Sequence, residues 1–106
     1  MAKVTWDELA RQNQKDILAY GAQTWGRNAA RKMRLHIKTE VERLAQFPLI
    51  GKVEPLLQGR SLQFRSLVIH KHYKLVYHYD EAKQLIRIAA LWDTRREPVR
   101  QADIFP

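Results

Sequence analysis

The chain has 106 residues, 45% of them hydrophobic, which suits a single folded domain and excludes a disordered chain. Nineteen lysines and arginines against eleven acids give a formal net charge of +8, so acidic proteins, nucleic acids and anionic lipids are the partners that electrostatics would attract. Cysteine is absent, which excludes disulfides and thiolate chemistry and suits a reducing cytoplasm, and the N-terminal stretch has no apolar run long enough to predict a signal peptide or membrane span.

Residues 2–6, with β-branched Val4 and Thr5, read as a first or edge strand. Asp7 is placed to cap a helix starting at Glu8, because a carboxylate there can accept from the free amides of the first turn. Leu9, Asn13, Ile17 and Tyr20 follow at helical spacing. Gly21 and Gly26 weaken and then end this helix. A second helix is expected over residues 28–46, where Ala30, Met33, Ile37, Val41, Leu44 and Phe47 recur at steps of three and four. Its other face carries Arg27, Arg31, Lys32, Arg34 and Lys38. Pro48 stops it, since a residue before proline avoids the helical region. The link at Gly26 is short enough to make the two helices an antiparallel hairpin.

Residues 47–59 form a loop punctuated by Pro48, Gly51, Pro55 and Gly59. Three strands follow, in which apolar residues alternate with Arg, Lys and His, so that successive side chains point to opposite faces. Leu62, Phe64, Ser66 and Val68 share one face of the first. Tyr73, Leu75, Tyr77 and Tyr79 share one face of the second. Ile86, Ile88, Ala90 and Trp92 share one face of the third, after a turn at residues 80–83. From Thr94 onward the tail is polar with two prolines and is expected to be irregular or a short edge element. The chain is thus a single domain over residues 1–106, an α+β fold in which a small antiparallel sheet (β-α-α-β-β-β) carries the helical hairpin on one face. Parity puts Arg65, Lys74 and Arg87 together on the exposed face, and Leu75, Tyr77, Ile86 and Ile88 beneath the helices.

These features together resemble the RelE/ParE family of toxins from type II toxin–antitoxin systems. The resemblance rests on the helical hairpin, the P-L-I-G-K turn at residues 48–52, the H-Y-K-L-V-Y strand at 72–77, and the L-I-R-I strand at 85–88 with R-R-E-P at 95–98. It implies a growth-inhibitory, cytoplasmic toxin, of the plasmid-stabilisation type, neutralised by a cognate antitoxin. Some members of this superfamily cut messenger RNA on the ribosome, and others poison DNA gyrase and lack the cleavage residues.

Cleavage through the ribose 2′-hydroxyl needs a base, an acid and cations around the phosphate. By the resemblance, Lys74 stands where nuclease members place a strand arginine, and Arg95 and Arg96 follow the last strand where another arginine is used. Those three would be the catalytic residues of a nuclease. Arg65, Lys71, His72 and Arg87, with Trp25 at the hairpin tip, are the candidates for holding nucleic acid or a protein partner. An ordinary solvated sheet face would show the same alternation of charge. His70, His72 and His78 are surface or turn histidines in this reading. The His-x-His spacing at 70 and 72 lacks a third ligand, so neither a metal nor a cofactor is expected. After Arg96, Glu97, Pro98 and Val99 supply no Tyr or His to complete a nuclease site, and Lys74 lacks the bidentate fork of arginine. The sequence therefore favours gyrase inhibition over ribosome-dependent cleavage, with a non-toxic basic binding module as the third reading. It leaves the oligomeric state and the antitoxin open.

Overall fold

The computed structural model describes residues 1–96 and 101–102. Strand β1 (Lys3–Trp6) leads into helix α1 (Glu8–Trp25) and helix α2 (Arg27–Gln46). A two-residue strand β2 (Lys52–Val53) and a 3-10 turn (Pro55–Leu57) precede β3 (Arg65–His70), β4 (Tyr73–Asp80) and β5 (Leu85–Asp93). All five strands form one sheet in the order β1-β5-β4-β3-β2. The α+β class and the helical hairpin match the sequence expectation. The sheet is mixed, because β1 runs parallel to β5 while the other pairings are antiparallel. A parallel neighbour needs a long crossover, and the two helices together with the later strands supply it.

Gly26 is the single residue between the helices, and its φ of 94° is one that only glycine adopts without strain. Asp7 adopts extended backbone but makes no capping bond. Its carboxylate instead meets the Arg87 Nε at 3.1 Å, which corrects the expected cap. Ile37 and Leu44 of α2 are buried as its periodicity predicts. Phe47 leaves that stripe: it terminates the helix with φ −130° and ψ 75°, and its side chain is 58% exposed.

Beneath the hairpin, Ala10, Ile37 and Leu44 cluster with Leu75, Tyr77, Ile86 and Ile88, as parity predicts. The reverse of the sheet has its own core, in which Leu57, Phe64 and Ala102 meet Val76, Ala89, Ala90 and Trp92. The expected face of Ile86, Ile88, Ala90 and Trp92 is therefore split. Val76 pairs with Ala90 and Tyr77 with Ile88, so Ala89 is an extra residue in β5. A bulge of this kind turns the later residues of the strand to the other face. The first predicted strand starts later than expected, since residues 62–64 precede β3, but its shared face holds: Leu62 and Phe64 lie in the reverse core, and Ser66 and Val68 stand opposite Val76 and Lys74 on that same side, with Val68 exposed. Of the tail, residues 94–96 form a turn after β5 and residues 101–102 are helical rather than irregular or an edge element, while residues 97–100 and 103–106 lie outside the described residues. Among the described residues, no helix is long and apolar enough to cross a membrane.

Candidate functional site

The cationic residues singled out in the sequence do not form one surface. Arg65 pairs with Tyr77 across the β3–β4 ladder, whereas Lys74 pairs with Trp92 and Val68, and Arg87 with His78 and Thr5. Partners directly opposite in a sheet share a face. Arg65 therefore lies on the hairpin side, and Lys74 and Arg87 on the reverse, which corrects the expectation of a common face.

None of the three is an open cation. The Arg65 guanidinium donates to the Gly51 carbonyl at 2.8 Å. Arg87 faces Asp7. The Lys74 ammonium forms an ion pair with Glu54, whose side chain is wholly buried, and lies 5.2 Å from the centre of the Trp92 ring. Glu54 also accepts from the Leu56 amide at 3.3 Å, which caps the 3-10 turn. Its carboxylate thus holds one charge and one turn in place beneath the reverse core.

The remaining candidates gather at the hairpin-tip end. Trp25 is 61% exposed and packs edge-on against Tyr20, with ring centres 5.5 Å apart. It shares an apolar cleft with Ile17, Leu18 and Met33, and the β3–β4 turn supplies His70, Lys71 and His72 as a basic rim. Arg95 borders this cleft and a second one beside it, where Tyr20, Tyr73, Asp93 and Arg96 meet. Its Nε and one terminal nitrogen reach the two Asp93 oxygens at 3.1 Å each, and its backbone amide donates to the same carboxylate at 2.9 Å. The guanidinium also lies 5.8 Å from the centre of the Tyr73 ring. Gln101 clamps the Asp93 backbone, donating to its carbonyl at 2.9 Å and accepting from its amide at 3.2 Å.

The electrostatics arise from these contacts. Burial pushes the Asp93 carboxyl up, but the hydrogen bonds and charge of Arg95, with Arg96, outweigh it and hold the group below the usual carboxylate range. Burial, with the Asp93 charge, pushes the Tyr73 hydroxyl up. Burial first, then His72, His36, Lys71 and Arg95, push His70 below its ordinary value. The cleft thus favours a neutral imidazole and a neutral phenol beside a committed ion pair. Among the described residues, no group of three or more His, Cys, Asp or Glu could hold a metal.

Trp25, Lys71, His72, Arg95 and Arg96 are thus brought to one end, and Arg65, Lys74 and Arg87 lie elsewhere. Glu54 and Asp93 were missed in the sequence, though each left a trace. A lone carboxylate inside the apolar run V-E-P-L-L is a buried charge in want of a cation, and D-T-R places an acid two residues before Arg95.

A family model described as the ParE toxin of the type II toxin–antitoxin system, parDE, matches residues 4–98. The chain belongs to the ParE toxin family. It is accordingly a toxin of the type II class. Its fold is similar to the chromosomal ParDE system from P. aeruginosa, with a TM-score of 0.70 at 18% identity over 88% of this chain and 96% of that one. The isolated E. coli RelE toxin superposes with a TM-score of 0.59 at 16% identity, over 98% of this chain and 96% of that one. The E. coli RelBE toxin–antitoxin complex gives 0.58 at 16% identity, over 91% and 100%. These likenesses show a fold common to ParE and RelE toxins. No curated protein sequence matches the chain.

Proposed function

We propose that this ParE-family chain is a cytoplasmic, growth-inhibitory toxin that acts on DNA gyrase and is neutralised by a cognate antitoxin. The observation that carries the reading is the commitment of its cations. Lys74, in the strand position where nuclease members use arginine, is closed onto buried Glu54, and Arg95 is held by both oxygens of Asp93. A phosphate gathering charge in a transition state needs donors that are free to meet it. Here two of the three predicted catalytic cations are already neutralised by carboxylates. Tyr77, on the same strand as Lys74, is buried, and its hydroxyl is occupied with backbone groups.

The partner reading rests on the other end of the molecule. An apolar cleft with a rim of Lys71 and His72 suits an acidic segment that also carries apolar side chains. The ParDE and RelBE structures, whose toxins share this fold, are toxin–antitoxin systems. Induction of this chain alone should arrest bacterial growth, with gyrase-dependent DNA breaks accumulating, and co-expression of the antitoxin from the adjoining reading frame should restore growth. Unimpaired growth with abundant folded protein would contradict the toxin reading. Arrest accompanied by ribosome-dependent messenger cleavage and no DNA breaks would contradict the choice of gyrase.

A further inference from the structure

The loop at residues 47–51 exposes three large apolar side chains within four positions: Phe47 is 58% exposed, Leu49 60% and Ile50 36%. Loops that show apolar side chains are commonly mobile, but this one is built into the core from below. The Tyr77 ring is fully buried, and its hydroxyl donates to the Pro48 carbonyl at 2.7 Å and accepts from the Gly51 amide at 3.0 Å. Arg65 holds the Gly51 carbonyl at 2.8 Å, and the Ile50 amide donates to Phe47 at 3.0 Å. Gly51 is enclosed so closely that a Cβ there would lie 2.7 Å from the Ser66 carbonyl and 2.8 Å from the Tyr77 ring. Loop, edge strand β2 and core are locked together, and the locked shape directs Leu49 and Ile50 into solvent.

A solvent-facing apolar patch has no part in folding, and a rigid one loses little entropy when it is covered. Lys52 is exposed directly after the loop, and the Arg65 guanidinium lies at its base on the Gly51 carbonyl, whereas Arg43, one helical turn before the loop, is paired with Glu40 at 3.3 Å. On a chain of net charge +8, an apolar knob beside Lys52 and Arg65 fits an apolar cleft rimmed by carboxylates. The knob also lies at the opposite end of α2 from Trp25. Twenty helical residues span about 30 Å, so the knob and the hairpin-tip cleft are separate surfaces.

We propose that residues Phe47, Leu49 and Ile50 form a preorganised anchor that docks this toxin onto a protein target through an apolar cleft bordered by acidic side chains, separately from the surface that takes the antitoxin. Naming that target as gyrase rests on the function proposed above; the anchor does not.

The test compares the wild-type chain with Leu49→Ser combined with Ile50→Ser, measuring growth arrest, inhibition of purified gyrase, antitoxin binding, thermal melting and sedimentation. The replaced side chains are exposed, so melting should be unchanged. Gyrase inhibition and growth arrest should fall at least tenfold, with antitoxin affinity retained within twofold. If the wild type arrests growth without inhibiting gyrase, the gyrase reading fails, and the anchor stands or falls on whether the double variant loses that arrest. A double variant that still arrests growth at wild-type dose overturns the anchor. So does loss of antitoxin binding, or a wild-type dimer that the double variant dissolves, since each assigns the patch to another occupant. Tyr77→Phe, which leaves every exposed side chain in place but unpins the loop, should lower target inhibition more than antitoxin binding, and equal loss of both would also count against preorganisation.

Discussion

Replacing Lys74 by methionine tests whether this lysine is a structural charge or a working one. The Glu54 side chain is wholly buried and that of Lys74 is 18% exposed, so the substitution leaves a carboxylate in the reverse core with no counter-charge. Removing one partner of a buried pair costs about 3–5 kcal/mol. Because the lysine end is partly wet, the low end applies, and about 3 kcal/mol corresponds to a fall of roughly 12–24 °C in Tm for a domain of this size. Adding Glu54→Gln removes the stranded charge while keeping an oxygen for the Leu56 amide. The double variant should return to within about 1 kcal/mol of the wild type, since neutral replacements of a buried pair are often nearly neutral in stability. Thermal and urea unfolding of all four proteins closes the double-mutant cycle. A Lys74→Met protein with unchanged melting, or a double variant no more stable than that single variant, would refute the assignment of Lys74 to Glu54. Under the same reasoning, toxicity lost in Lys74→Met should be regained in the double variant, which a catalytic lysine would not allow.

Gly51→Ala forces a Cβ against the Ser66 backbone carbonyl and the Tyr77 ring, and should cost about 1–3 kcal/mol in urea unfolding, as overpacking does. The folded carboxyl of Asp93 is held below its ordinary value near 3.8, so the stability it lends is present above that value and is lost as pH falls through the lower folded one. Asp93→Asn should therefore flatten that part of the acid unfolding limb and leave the curve above pH 5 with little slope change, and an unaltered acid limb would show that the Arg95 contact does not stabilise the fold. Trp25→Ala should weaken antitoxin binding at least tenfold without changing Tm, because the ring is largely exposed and borders the apolar cleft; unchanged affinity in a titration would remove Trp25 from that interface.

The hairpin was legible in the sequence because its signals are local. Steps of three and four from Met33 to Leu44 mark the buried stripe of α2, and Gly26 marks the only turn residue between the helices. Tyr73, Leu75 and Tyr77 were legible for the same reason, since β4 is regular through them. The reverse core was not legible by parity. One extra residue at Ala89 turns Ala90 and Trp92 away from Ile86 and Ile88, and nothing in a period of two announces a bulge. The run A-A-L-W at residues 89–92 held the better clue, since a strand covered on both faces loses its alternation. The candidate site failed where its partners were distant in sequence. Lys74 and Glu54 are twenty residues apart, and Arg65 and Gly51 fourteen, so their pairing depends on the sheet register. Lys71, His72 and Arg95 were found as charges, yet their convergence beside Trp25 depends on α1 and α2 reaching over the β3–β4 turn.

The most direct test of the central claim is a side-by-side assay of the purified toxin on DNA supercoiling by gyrase and on messenger RNA bound to translating ribosomes. Neutralised Lys74 and Arg95 predict dose-dependent loss of supercoiling, relieved by stoichiometric antitoxin, with messenger left intact at the same doses. Cut messenger with supercoiling untouched would contradict the account.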